Sequence, residues 1–263
     1  QFVINEIISN SKSFNLLNAV MSFTPHPRVF FGYTKDVFNI LTKEEKLRIL
    51  EEIGIDIYID FDFDEYLSNL SAEEFIRDII VKKLKVKKII VGSDFRFGKD
   101  RKGNLDILKL LSKKLNFDLI NVKTINIENT QTKYSSSEIR EFIKEGKFQN
   151  VSPMLGREWS MKGKIIEGDK KARQMNFPTA NMKPQNTILP KKGVYCVKAN
   201  FDSESYNGVA NFGYRPTVNG TKLLLETHLF EFNKNIYGKE LTVQFLTFIR
   251  EEKKFANFEI LTE

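Results

Sequence analysis

Hydrophobic and polar positions follow two different grammars along this chain. From Ser22 to about Pro153, short apolar runs alternate with segments of helical spacing. "NAVMSFT" reads as a strand. "TKEEKLRILEEIG" reads as a helix between a Thr42/Glu45 capping box and a closing Gly54. "IDIYIDF" is a strand, "SAEEFIRDIIVKKL" opens on a second capping box (Ser71 with Glu74), and "VKKIIVG" is a β-branched strand. The helix "NLDILKLLSKKLN", the strand "FDLINVKTI" and the helix "SSEIREFIKEGKF", with Gly146 at its end, continue the pattern. Strict alternation of strand and helix predicts an α/β fold, a parallel sheet with helices on its faces. Ligands of such sheets sit beyond the carboxyl ends of the strands.

From about Gly156 the segments shorten. "SMKGKIIEG", "GVYCVKANF", "SYNGVANFG", "LLLETHLFEFN" and "LTVQFLTFIR" are short strands separated by Gly, Pro and Asn. That pattern predicts a small antiparallel β-barrel. A last helix starts near Asn257. The change of grammar at Val151–Leu155 predicts domains at 1–152 and 153–263.

Composition narrows the chemistry. At 263 residues the chain suits two domains, and 41% hydrophobic residues with 23 Phe give material for Phe-rich cores. No run approaches the ~18 apolar residues of a membrane span, and the N-terminal stretch has no secretory signal pattern. The one cysteine, Cys196, lies in an apolar run, which excludes a disulfide framework and places it as a small core residue. A reducing cytoplasm fits. The net charge of +7 is spread along the chain and fits anionic partners such as nucleotides. With only His26 and His228 beside one Cys, a His/Cys zinc site is disfavoured, so a metal here is a hard ion bound by oxygen.

Five segments could carry chemistry. In "ARQMNFPTAN", Pro178 fixes the backbone, and an extended chain points Thr179 and Asn181 the same way. A hydroxyl and an amide oxygen suit Mg²⁺ already carrying phosphate charge; a surface turn is the plainer reading. Upstream, Gly168, Lys170, Lys171 and Arg173 form a basic loop able to cover phosphates. In "KLLLETHLFEF", one face carries Leu223, Leu225, Thr227 and Leu229, the other Leu224, Glu226, His228, Phe230 and Phe232. Glu226 thus falls on a mostly apolar face, where a carboxylate is paired, hydrated or used as a general base; His228 reads as structural. In the first half, His26 between two prolines and the loop holding Asp94 and Arg96 both follow strands. Ser135, Ser136 and Ser137 open a helix with Arg140 one turn in, which makes either an anion site or ordinary capping.

Together the segments "TPHPR", "VGSDFRFGKDRKGN", "YSSSEIREFIKEG", "LGREWSMKGKIIEGDKKARQMNFPTAN", "GVANFGYRPTV", "LETHLFEF", "YGKEL" and "FIREEKKF" resemble the prokaryotic bifunctional riboflavin kinase/FMN adenylyltransferase family, the FAD synthetases. The resemblance covers nearly the whole chain and implies a nucleotidyltransferase-like, Rossmann-like first domain and a six-stranded kinase barrel. It implies that the barrel phosphorylates riboflavin to FMN with ATP and Mg²⁺. By the same resemblance, Thr179 and Asn181 hold metal and phosphates, Glu226 is the base, Gly168, Lys170 and Arg173 cover the nucleotide, and Arg250 is a flavin contact. The first half then makes FAD from FMN and ATP at a site containing His26, Asp94, Arg96, Ser135, Ser136, Ser137 and Arg140. Two departures stand out. Ala172 and Asn176 replace the usual glycines of the phosphate loop. The family's first strand and HxGH motif are not in this sequence and are expected immediately before Gln1; without them, the alternative is a riboflavin kinase with an inactive first domain. The resemblance implies small-molecule partners, no nucleic acid, no membrane, and a monomer or weak oligomer.

Overall fold

The computed structural model describes residues 2–34, 37–122, 135–167, 178–217 and 220–253. They form two compact units, Gln1–Asp36 with Lys43–Tyr134, and Val37–Thr42 with Ser135–Glu263.

The first unit runs α1 (Phe2–Phe14), β1 (Ala19–Thr24), α2 (Pro27–Phe30), α3 (Lys43–Ile53), β2 (Ile57–Asp62), α4 (Glu65–Asn69), α5 (Ala72–Glu74), β3 (Lys88–Gly92), α6 (Leu105–Leu115) and β4 (Asp118–Val122). The Ser71 capping box forms: Ser71 Oγ accepts from the Glu74 amide at 3.2 Å, and the Glu74 carboxylate accepts from the Ser71 amide at 2.9 Å. The helix expected after it continues as a π-helix, Phe75–Lys83, whose wide turns put Phe75, Ile76, Ile79 and Ile80 into the core. β1 pairs with β2 and β3 with β4, both in parallel. The parallel sheet thus takes the form of two strand pairs among the described residues. One core serves both: Phe75, Ile76, Val91, Leu108, Leu111 and Phe117 pack with Met21, Phe23 and Phe61 alongside. Burying each such side chain contributes about 1.5–3 kcal/mol.

The second unit runs α7 (Ser136–Glu145), α8 (Phe148–Leu155), β5 (Ser160–Lys164), β6 (Thr179–Met182), β7 (Gly193–Phe201), β8 (Glu204–Thr217), β9 (Gly220–Leu229) and β10 (Glu240–Arg250). The strands form one antiparallel sheet in the order β5-β10-β7-β8-β9-β6. Its two edges meet through a single described bridge, in which the Ile166 amide donates to the Asn181 carbonyl at 2.8 Å. Tyr195, Val197, Phe212, Leu225, Val243 and Phe245 fill the interior. The same alternation turns Cys196 outward: it is exposed between buried Tyr195 and Val197, not in the core as its apolar surroundings imply.

A boundary at 152/153 follows the change of pattern, but α7 and α8 pack with the barrel. Phe148 stacks on Trp159 with ring centroids 5.6 Å apart and meets Tyr195 and Phe245 at 5.6 and 5.1 Å. Trp159 Nε1 donates to the Ile40 carbonyl at 2.8 Å, which ties Val37–Thr42 to the same unit.

Candidate active site

Strand register assembles a polar row on the outer face of the barrel. Asn181 on β6 stands opposite Glu226 on β9, and Asn211 on β8 stands opposite Glu226 from the other side. Directly opposed residues share a face, so Asn181, Glu226 and Asn211 lie in line across three strands. Their chain neighbours Ala180, Met182, Ala210, Phe212, Leu225 and Thr227 fill the buried face. The setting of Glu226 is therefore polar, because the flanking strands supply amides that the pattern of β9 alone does not contain. Asn181 is 6% exposed, and its Nδ2 donates to the Thr179 carbonyl at 3.4 Å. Asn211 Oδ1 is buried with no hydrogen-bond partner among the described residues. Such an atom costs free energy unless something else bonds it. His228, opposite Thr179, has Nδ1 3.0 Å from the Pro178 carbonyl, a tie at the start of β6.

Glu226 is paired. Arg215 on β8 donates from Nε to Glu226 Oε2 at 2.5 Å and from Nη1 to Glu252 Oε1 at 2.7 Å. Burial pulls on this guanidinium, but Glu252 and Glu226 together hold it above the ordinary arginine value.

Where β6 begins, and partly on the buried face, opens a cavity of about 500 Å³. Ile165, Pro178, Thr179, Ala180, Thr227 and Leu229 line one part of it and Phe232 to Tyr237 the rest. That volume lies within the range of small-molecule sites. Thr179 belongs both to the cavity wall and to the face of the row. The buried hydroxyl of Thr227 has no hydrogen-bond partner among the described residues. Lys234, also in the wall, is held above its ordinary value by Glu204 and Tyr206.

Thr179, Asn181 and Glu226 thus come together. Arg250 ends β10 opposite Val194, with Nη1 donating to the Glu251 carbonyl at 3.2 Å; it is Glu252, two residues on, that reaches Arg215. Gly168, Lys170 and Arg173, with Ala172 and Asn176, lie outside the described residues. In the first unit, His26 follows β1 and caps α2, its Nδ1 accepting from the Arg28 amide at 3.2 Å. Asp94 and Arg96 follow the carboxyl end of β3 and are exposed. Ser135, Ser136, Ser137 and Arg140 belong to the second unit. Ser135 caps α7 by accepting from the Glu138 amide at 3.2 Å, and Arg140 Nε donates to the Phe38 carbonyl at 2.8 Å. Sequence reasoning quoted "GVANFGYRPTV" without assigning Asn211 or Arg215 a role. Their alternation on one strand, N-x-G-x-R, was the available signal.

Comparison with known proteins settles the family. The riboflavin kinase family model matches residues 155–263, and the FAD synthetase family model matches residues 1–138. The bifunctional riboflavin kinase/FMN adenylyltransferase of Haemophilus influenzae is 36% identical over 262 residues, covering 99% of this chain and 84% of that protein. The chain belongs to the bifunctional riboflavin kinase/FMN adenylyltransferase family. The Escherichia coli K12 member is 34% identical over 248 residues, covering 94% of this chain and 79% of that protein. A crystal structure titled as a macrolide-efflux protein from Streptococcus pneumoniae shares the fold of this family member. Its TM-score is 0.88 at 28% identity, over 99% of this chain and 84% of that one. Among the described residues, no helix is long and apolar enough to cross a membrane.

Proposed function

We propose that this chain phosphorylates riboflavin to FMN at the barrel and adenylylates FMN to FAD, with release of pyrophosphate, through its first half. The observation that supports the kinase reading is the row Asn181–Glu226–Asn211, in which Asn211 Oδ1 has no hydrogen-bond partner among the described residues, together with Thr179, which lies on the face of the row and also lines the cavity of about 500 Å³. Glu226 accepts the proton of the ribityl 5′-hydroxyl as that oxygen attacks the γ-phosphorus of ATP. The bond from γ-phosphorus to the bridging oxygen breaks, and ADP leaves. The Thr179 hydroxyl and Asn181 amide oxygen are hard, neutral donors, alternate residues on one face of β6, and they fit Mg²⁺. Mg²⁺ supplies charge neutralisation on the phosphates; the residues supply position, which is most of phosphoryl-transfer catalysis. For the second reaction, His26, Asp94 and Arg96 are the candidate contacts in the first unit; the sequence resemblance separately nominates Ser135, Ser136, Ser137 and Arg140. The location that goes with these substrates is the cytoplasm, as a monomer or weak oligomer without nucleic acid.

The test is to incubate the chain with riboflavin, ATP and Mg²⁺ and to separate the flavins. FMN and FAD are both expected, and EDTA stops both. Glu226→Gln lowers FMN formation by about 10²–10⁴-fold, the usual contribution of a general base. A parental rate in that variant removes Glu226 from the role. FMN without FAD confines the activity to the barrel.

A further inference from the structure

Arg215 has no part in the reaction as written, yet it is tied into the site from two sides. It does not stand opposite Glu226 in register: its partner on β9 is Lys222, and the pair Gly213–Leu224 lies between. To reach Glu226 the guanidinium turns back along the strand over Gly213. The second carboxylate sits there too: a Cβ at position 213 would lie 2.2–2.3 Å from the carboxylate atoms of Glu252. The three side chains are 23%, 27% and 32% exposed for Arg215, Glu226 and Glu252. Ordering a long arginine costs rotamer entropy, so a doubly held arginine calls for a purpose.

Resting on the reading of Glu226 as base, we infer that Arg215 is its positioning residue, with Glu252, seated over Gly213, as the anchor of the guanidinium. Arg215 occupies Oε2 of Glu226 and leaves Oε1 to meet the substrate hydroxyl. A planar guanidinium can serve two carboxylates from different nitrogens at fixed geometry, which the point charge of a lysine cannot.

The test is steady-state riboflavin phosphorylation by the full chain with ATP and Mg²⁺, for Arg215→Gln, Arg215→Lys, Gly213→Ala, Glu226→Gln and the double variant Arg215→Gln/Glu226→Gln. Arg215→Gln is expected to lower kcat by about 10- to 100-fold, the scale of a misplaced catalytic group. Both KM values should move by less than about twofold, as befits a group that does not bind ground-state substrate. Arg215→Lys recovers part of kcat. Gly213→Ala meets only the flexible end of Glu252 and gives a smaller loss. The double variant is no slower than Glu226→Gln alone, because a positioner has nothing left to position. Parental kcat in Arg215→Gln, with Glu226→Gln slow, overturns the inference and leaves the base intact. Losses that multiply in the double variant also overturn it. A parental Glu226→Gln sinks both readings. If Arg215→Gln fails to fold, Arg215→Lys decides: parental kcat there overturns the inference.

Discussion

Thr227 shows how a single atom separates stability from use. It is wholly buried on β9, lines the cavity, and its hydroxyl has no hydrogen-bond partner among the described residues. An unpaired buried hydroxyl costs about 1–3 kcal/mol, and valine has nearly the same shape without it. Thr227→Val is therefore expected to raise the melting temperature of the ligand-free protein, by a stabilisation of roughly 1 kcal/mol, and to raise KM for ATP. Thermal unfolding with and without nucleotide, beside ATP kinetics, checks both; an unchanged KM removes the hydroxyl from nucleotide binding. Thr179, Asn181 and Glu226 were singled out in the sequence by alternation, which puts Thr179 and Asn181 on one side of an extended chain and Glu226 on a mostly apolar face. Asn211 and Arg215 were not, because their meaning lies in strand register. Register is set by pairing across the sheet rather than by either strand alone.

At the level of elements, local signals were readable and partners were not. The Ser71 box, the Ser135 cap and the left-handed Gly146 that ends α7 stand where the sequence puts them, since each is satisfied within one turn. The helix α8, with Pro153 inside it, was not read from the sequence, which put a domain boundary there, and neither was its cover of the barrel. Phe148, 1% exposed, is the centre of that cover, against Trp159, Tyr195 and Phe245. Phe148→Ala is expected to destabilise the second unit by about 3–5 kcal/mol through the cavity it leaves. Denaturant unfolding followed by the fluorescence of Trp159, the one tryptophan, reads that unit alone. A shift below about 1 kcal/mol would mean that α8 is not a structural part of the barrel.

For the whole molecule, the two units can be addressed by different probes. In the first, Lys43 sits 2.6 Å from Asp60 on β2, and Thr24 Oγ1 donates to Asp60 at 2.8 Å. Lys43 holds the Asp60 carboxyl below its ordinary value of 3.8, against the opposing pull of burial, with Thr24 adding to the effect. The Lys43 ammonium is raised above its ordinary 10.5, chiefly by Asp60. A lowered carboxyl stabilises above its unfolded value and loses that contribution as pH falls through the folded one. A raised ammonium stabilises below its unfolded value and loses it as pH rises. The pair therefore supports the first unit between about pH 4 and pH 10. Asp60→Asn should lower the urea midpoint of that unit at neutral pH, with the difference from the parent closing as pH falls below 3.8. A difference that is constant across pH assigns the loss to packing instead of charge.

The ring of six strands is fastened, among the described residues, by the one hydrogen bond from Ile166 to Asn181. The residue that fastens it also offers its side-chain amide to the row beside Glu226. That bond is made by the backbone alone, and Met161, Ile165 and Met182 pack beneath it, fully or almost fully buried. The fastening and the amide can therefore be separated: a replacement of the Asn181 side chain takes an oxygen from the row and leaves the ring closed.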